Sequence, residues 1–335
     1  MIFICASSTV ELRWDCFCRK KMILHTKPLK MKRTITGLLL LLAWVIFTSG
    51  EARCNGIKGD SLRLFLIGNS FSQNATRYLP KLAEEGGHPL KIGRAELGGC
   101  SLQRHWEIAE AAERNPEDPK GKAYNGKSLR ELLSAGKWDV VTIQQNSMNS
   151  GDSTTYMPYA RKLVALVRSI QPDAKIIMQQ TWAYRVDAKK FTQTANEVFA
   201  TDAKEMWEKS RASYHKIAKE LGIKLFPVGD AFWRINSNPK TAYVPDSKFD
   251  VANAVYPNLP EQKNSLHVGY KYNNSQKLDF DANHANEAGC YLGGLVWYAV
   301  LFKESPVKLH FHPEQVSDEF AKVLKSTADQ VVKSK

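Results

Sequence analysis

Two short stretches carry the residue types that acyl-transfer chemistry needs. One is a serine on a glycine-led turn, Gly68-Asn69-Ser70-Phe71-Ser72; the other is an aspartate three residues ahead of a histidine, Asp281-Ala282-Asn283-His284. A serine hydroxyl is a weak nucleophile unless a base takes its proton. An imidazole can do so when a carboxylate holds its other ring nitrogen. Each stretch has a plainer reading. Ser70 can simply cap the helix that follows, a task for which Ser72 competes, and Asp281 can be a helix cap beside an incidental His284. The chemistry also requires donors for an oxyanion. Leu97-Gly98-Gly99-Cys100-Ser101 offers an unencumbered backbone N–H, and Gln144-Gln145-Asn146-Ser147 offers a side-chain amide.

These four stretches must be positioned by elements far apart in the chain. Apolar runs at 62–67, 138–144, 174–181 and 223–228, with a more polar one at 90–97, read as five strands. Between them, helical spacing is expected over 72–85, 101–114, 157–170 and 202–221. An apolar helix at 285–302 bears Gly289, Gly293 and Gly294 for close packing, with D-x-x-H at its start, and a last amphipathic helix covers about 314–332. Strand–helix alternation implies parallel βαβ units in one sheet, and ligands of such sheets bind at the carboxyl ends of the strands. The fold expected is a three-layer α/β/α sandwich around a doubly wound, mostly parallel five-stranded sheet. It is interrupted by a long Asn-, Pro- and Tyr-rich insertion around 231–280.

A competing motif occurs at Gly121-Lys122-Ala123-Tyr124-Asn125-Gly126-Lys127-Ser128, which matches the phosphate-binding pattern G-x-x-x-x-G-K-S. That pattern works only between a buried strand and a helix. Here Asn115-Pro116-Glu117-Asp118-Pro119-Lys120 precedes it and cannot be a central strand, so an ATPase is disfavoured. The charge balance, 47 Lys+Arg against 34 Asp+Glu for +13, first suggests a polyanionic partner. Part of it belongs to the beginning of the chain, however. From Met31, Lys32 and Arg33 precede a 13-residue apolar run, Ile35–Phe47, and then small residues to Ala52. This is the pattern of a secretory signal, too short to span a bilayer. Residues 1–30, with Cys5, Cys16 and Cys18, fit no such pattern and are read as a mis-assigned N-terminal extension. Residues 1–52 hold eight of the 47 bases and three of the 34 acids, so 53–335 form a single domain of net charge +8. Its lysines are dispersed and no nucleic-acid motif accompanies them, so no nucleic acid is expected as partner. The mature protein is expected to be periplasmic or secreted, without a stable membrane span.

Taken in order, the serine turn, glycine block, asparagine block and D-x-x-H resemble the SGNH/GDSL hydrolase superfamily over most of residues 62–302. Asn69 stands where the usual motif has Asp, and Gln144-Gln145-Asn146-Ser147 keeps only the Asn of its block. The segment Gly99–Trp106 resembles a sub-branch of secreted bacterial proteins of unknown substrate. The resemblance implies Ser70 as nucleophile, His284 as base and Asp281 as its orienter. It also implies an oxyanion hole of Gly99, Asn146 and the Ser70 backbone, with Gly98 as substitute for Gly99, and no metal or other cofactor. The activity implied is ester hydrolysis on a small-molecule or polysaccharide substrate, such as a carbohydrate O-acetyl ester. The alternative is a non-catalytic glycan-binding relative. His105, Trp182 and Asn69 are candidate pocket residues; His105 reads equally as a helix-surface residue, and Trp106 and Trp182 equally as core. Cys100 and Cys290 either bridge or remain buried thiols, Cys54 makes the count odd, and nothing ties His267 to the substrate.

Overall fold

The computed structural model describes residues 61–191 and 200–334. The extension, the signal segment and Cys54 lie outside the described residues. The chain order is β1 (Leu62–Gly68), α1 (Ser70–Thr76), α2 (Leu79–Glu85), β2 (Leu90–Glu96), α3 (Leu102–Arg114), α4 (Leu129–Ser134), β3 (Val140–Ile143) and α5 (Tyr159–Ile170). It continues with β4 (Lys175–Gln179), α6 (Ala203–Leu221), β5 (Lys224–Phe226), α7 (Val228–Asn236), β6 (His267–Tyr272), β7 (Leu278–Ala285), α8 (Glu287–Phe302) and α9 (Asp318–Lys333).

Five strands form one sheet in the order β2-β1-β3-β4-β5, and every neighbouring pair is parallel. The expected doubly wound α/β/α sandwich is therefore the observed one. Strands buried on both faces read as continuous apolar runs, because alternate side chains feed different cores. Leu64 and Leu66 join a core with α1, α7, α8 and α9, while Phe65 and Ile67 join the opposite core with α3, α4 and α5. The long helix α6 serves both, through Met206 on one side and Tyr214 and Ile217 on the other. The chain order reverses between β1 and β3, so the loops leaving these two strands diverge and open a crevice at their carboxyl ends.

Three expectations need correction. The single helix over 72–85 is two, α1 and α2. Pro80, in the first turn of α2, has no N–H to continue α1 and forces a break at Arg77-Tyr78. The insertion at 231–280 is only partly loop. Val228, Ala231, Phe232 and Ile235 form the buried stripe of α7, and β6 and β7 make an antiparallel hairpin pairing Tyr270 with Phe280 and Tyr272 with Leu278. The D-x-x-H stretch consequently ends a strand instead of starting a helix; α8 begins after it, capped by Asn286. The phosphate-loop match behaves as a surface segment. It follows a short 3-10 turn (Pro119–Gly121), reverses at Asn125-Gly126, and its Ser128 caps the six-residue α4. No helix among the described residues is long and apolar enough to cross a membrane.

The glycines of α8 let this helix lie against its neighbours. A Cβ at Gly293 would stand 2.7 Å from Ala75 Cα, and one at Gly289 would stand 2.1 Å from the Leu266 carbonyl oxygen at the root of the hairpin. Gly289→Ala should therefore destabilise the protein. Overpacking costs about 1–3 kcal/mol, against a helix-propensity gain of at most about 1 kcal/mol. A net loss of about 1–2 kcal/mol would lower Tm by several degrees for a chain of this size. A thermal melt with unchanged or higher Tm would contradict the close contact.

Candidate active site

Ser70 is the first residue of α1. Asn69 caps that helix by accepting from the Phe71 N–H at 3.0 Å, so neither Ser70 nor Ser72 is needed as the cap. The Ser72 hydroxyl instead has Glu96 Oε1 and the Asn69 carbonyl oxygen, both within hydrogen-bond distance, as acceptors for its one proton. The turn is tight because Gly68 lacks a side chain: a Cβ there would meet Ser72 Oγ at 2.5 Å. The Ser70 hydroxyl is left to meet His284, whose Nε2 lies 3.0 Å from Ser70 Oγ across 214 residues of sequence. His284 Nδ1 lies 2.9 Å from Asp281 Oδ2. An ionised carboxylate only accepts, so Nδ1 carries the ring proton and Nε2 is the acceptor facing the serine.

Asp281 is held in its charged form. Burial alone would raise its pKa, but hydrogen bonds from the imidazole and from the backbone N–H groups of His284 and Asn283 prevail and hold it at about 2. The strand that carries both residues is pinned from three directions. The Ala285 N–H donates to Asn74 Oδ1 of α1, Trp182 Nε1 donates to the Asn283 carbonyl, and the Arg185 N–H donates to the Ala282 carbonyl.

On the other side of Ser70 lie the two candidate donor loops. Gly99 is exposed and left-handed, φ +63°. Its N–H and that of Ser70 have no hydrogen-bond partner among the described residues. Asn146 Nδ2 reaches the Gly99 carbonyl at 3.3 Å, while its Oδ1 accepts from the Asn149 N–H. Gln145 ties the loops together: its Oε1 accepts from the N–H groups of Leu102 and Asn146, and its Nε2 donates to Thr155. The glycine loop is joined to the serine turn by Asn69, whose Nδ2 donates to the Cys100 carbonyl at 2.9 Å.

The structure thus brings together Ser70, His284 and Asp281, and brings Asn146 against Gly99. The three expected pocket residues are buried. Asn69 is 1% exposed, and its amide is spent on Phe71, Cys100 and Gln144. His105 is fully buried, between Tyr124 Oη at 2.7 Å and the Gly68 carbonyl at 3.0 Å. Burial lowers its pKa to about 4 although the Gly68 carbonyl favours the proton, so near neutral pH it is an uncharged strut beneath the serine turn. Trp182 is 1% exposed and stacked between Phe71 at 4.3 Å and Phe232 at 4.5 Å, with no face left for a sugar. Cys100 and Cys290 are buried free thiols, each pushed up to about 12 by burial. His267 is likewise buried, with Nε2 on the Ala183 carbonyl. Sequence reasoning missed the roles of Gln145 and Arg185. The one available signal was the persistence of polar and aromatic residues just past the ends of apolar β3 and β4.

Fold and site together define a doubly wound α/β/α protein with a hydroxyl–imidazole–carboxylate relay at the carboxyl end of its sheet. Residues 63–251 match the model of a domain of unknown function, DUF4886, and the chain belongs to that family. A DUF4886 family protein from Bacteroides uniformis is 22% identical, with a TM-score of 0.60, over 82% of this chain and 95% of that one. It shares the fold. Looser likenesses, both at a TM-score of 0.42, are a candidate GDSL-like lipase from Parabacteroides merdae and a periplasmic domain from Salmonella ser. Paratyphi A. The first is 14% identical over 74% of this chain and 98% of that one. The second belongs to a lipopolysaccharide acetyltransferase and is 10% identical over 75% of this chain and 87% of that one. No curated protein matches the chain.

The Asp281 carboxyl fixes a pH dependence. Its folded-state pKa lies below the ordinary 3.8, so its pairing stabilises the fold above pH 3.8, and that contribution is lost as pH falls through about 2. Urea unfolding of wild type and Asp281→Asn should show a gap on the order of 1 kcal/mol at pH 5, after allowance for solvent screening. The gap should narrow progressively toward pH 2. One that stays constant would deny the carboxylate its special stabilisation.

Proposed function

We propose that the protein is an exported serine esterase of the SGNH type. The observation that carries this reading is the continuous relay from Ser70 Oγ to His284 Nε2 at 3.0 Å and from His284 Nδ1 to Asp281 at 2.9 Å. Ser70 Oγ attacks an ester carbonyl while His284 takes its proton. Asp281 holds the imidazole in the required tautomer and stabilises the imidazolium that forms. The oxyanion is received by the N–H groups of Ser70 and Gly99 and by the amide of Asn146. His284 then passes its proton to the departing alcohol, and a water activated by the same imidazole cleaves the acyl-serine. A purely glycan-binding protein has no use for a hydroxyl, imidazole and carboxylate in line, and that favours the catalytic reading.

The signal-like segment from Met31 to Ala52 supports action outside the cytoplasm. There the abundant esters include O-acetyl groups on polysaccharides, and we take a carbohydrate ester as the substrate. Trp182, being buried, contributes no aromatic platform to that choice.

A fluorophosphonate probe tests the reaction without knowledge of the natural substrate, because it phosphonylates only an activated serine. Mass spectrometry should find the adduct on Ser70, and it should be absent in Ser70→Ala. Asn146→Ala should lower turnover of a short-chain nitrophenyl ester by about 10²–10³. An unlabelled wild type, or label on another serine, would refute the assignment.

A further inference from the structure

Asp281 and His284 stand on β7, which is no part of the main sheet, and one residue, Arg185, holds the strand on both sides of Asp281, by its side chain at Phe280 and by its backbone at Ala282. Arg185 follows β4 and is a charged residue only 1% exposed. Its Nε and Nη2 form a paired contact with the Asp187 carboxylate at 2.7 and 2.8 Å, and its Nη1 donates to Gln262 Oε1 at 2.6 Å. The guanidinium lies among three rings, with its carbon 4.3 Å from the centre of Tyr243, 4.9 Å from Phe280 and 5.2 Å from Tyr270. Gly269, at φ +66°, lets the hairpin close around it, since a Cβ there would fall 1.9 Å from Nη1. Gln262 completes the enclosure by accepting from the Tyr270 N–H and donating to the Tyr270 carbonyl.

Phe280 and Ala282 are the two neighbours of Asp281. The first packs its ring on the Arg185 guanidinium, and the second gives its carbonyl to the Arg185 N–H at 2.9 Å. From this bracket we infer that Arg185 is a positioning residue, setting the orientation of Asp281 and, through it, the reach of His284 toward Ser70. The inference rests on the esterase reading for its kinetic consequence, though not for its structural one. A lysine keeps the charge but loses the planar fork and most of the ring stacking, so it is the informative replacement. A misplacement of about 1 Å at a reacting group costs up to about 10²-fold in rate.

The test compares wild type, Arg185→Lys and Tyr243→Leu, the last removing one ring of the enclosure should the first fail to fold. The maximal rate of fluorophosphonate labelling at Ser70 should fall about 10- to 100-fold, while the concentration giving half-maximal rate changes little. Amide hydrogen exchange should accelerate in the peptides spanning 267–285 and remain at the wild-type rate in β1 and β3. Equal labelling rates together with unaltered exchange at 267–285 would overturn the proposal. So would a fall in Tm with exchange rising uniformly, which describes a residue that merely holds the fold. A wild type that is never labelled refutes the esterase reading instead, and localised exchange in the variants would still report the structural half.

Discussion

Everything at this site depends on one contact between two parts of the chain that nothing local holds together. Ser70 belongs to the sheet, at the end of its first strand; His284 belongs to a hairpin that only leans on the sheet. Their 3.0 Å separation survives because the hairpin strand is hydrogen-bonded through three residues flanking His284 (Ala282, Asn283 and Ala285) to Arg185, Trp182 and Asn74. Each of those bonds is modest alone. Together they leave the strand no register into which it can slide without losing several at once.

The buried polar residues beneath the serine follow from the same constraint. A turn that presents a hydroxyl to solvent must turn its backbone groups inward, and each needs a partner. His105 takes the Gly68 carbonyl, Asn69 takes the Phe71 N–H and the Cys100 carbonyl, and Gln145 takes the Leu102 and Asn146 N–H groups. These side chains look like pocket residues by type and by nearness in sequence to Ser70. They serve as the buried frame beneath the serine turn instead. An amide suits position 69 because it accepts on one side and donates on the other, which an ionised carboxylate cannot do.

The central strands β1, β3 and β4 were legible because they are buried on both faces, so an uninterrupted apolar run admitted few other readings, whereas the edge strand β2 showed only a more polar run. Leu64 and Phe65 show the reason: adjacent in sequence, they enter opposite cores. The hairpin was illegible for the converse reason. Its residues are mostly half-buried, and the apolar ones pair across strands, Tyr270 with Phe280, so neither strand alone shows a clean alternation. The order and types of Ser70, Asp281 and His284 were readable from spacing, while the direction of a side chain was not. Trp182 lies one loop from the site in sequence, yet its ring is sandwiched in the core between Phe71 and Phe232. Arg185 offered only its place among polar and aromatic residues just past β4, since a buried arginine is recognised by the rings and the carboxylate around it.

The family-matched stretch ends at residue 251, whereas the hairpin begins at His267. The family model therefore covers the part of the site that holds Ser70, Gly99 and Asn146, and not the part that holds Asp281 and His284. Two sequences can agree throughout that stretch and still differ at positions 281 and 284. The hairpin thus adds to the matched stretch the two side chains, Asp281 and His284, that stand in line with Ser70.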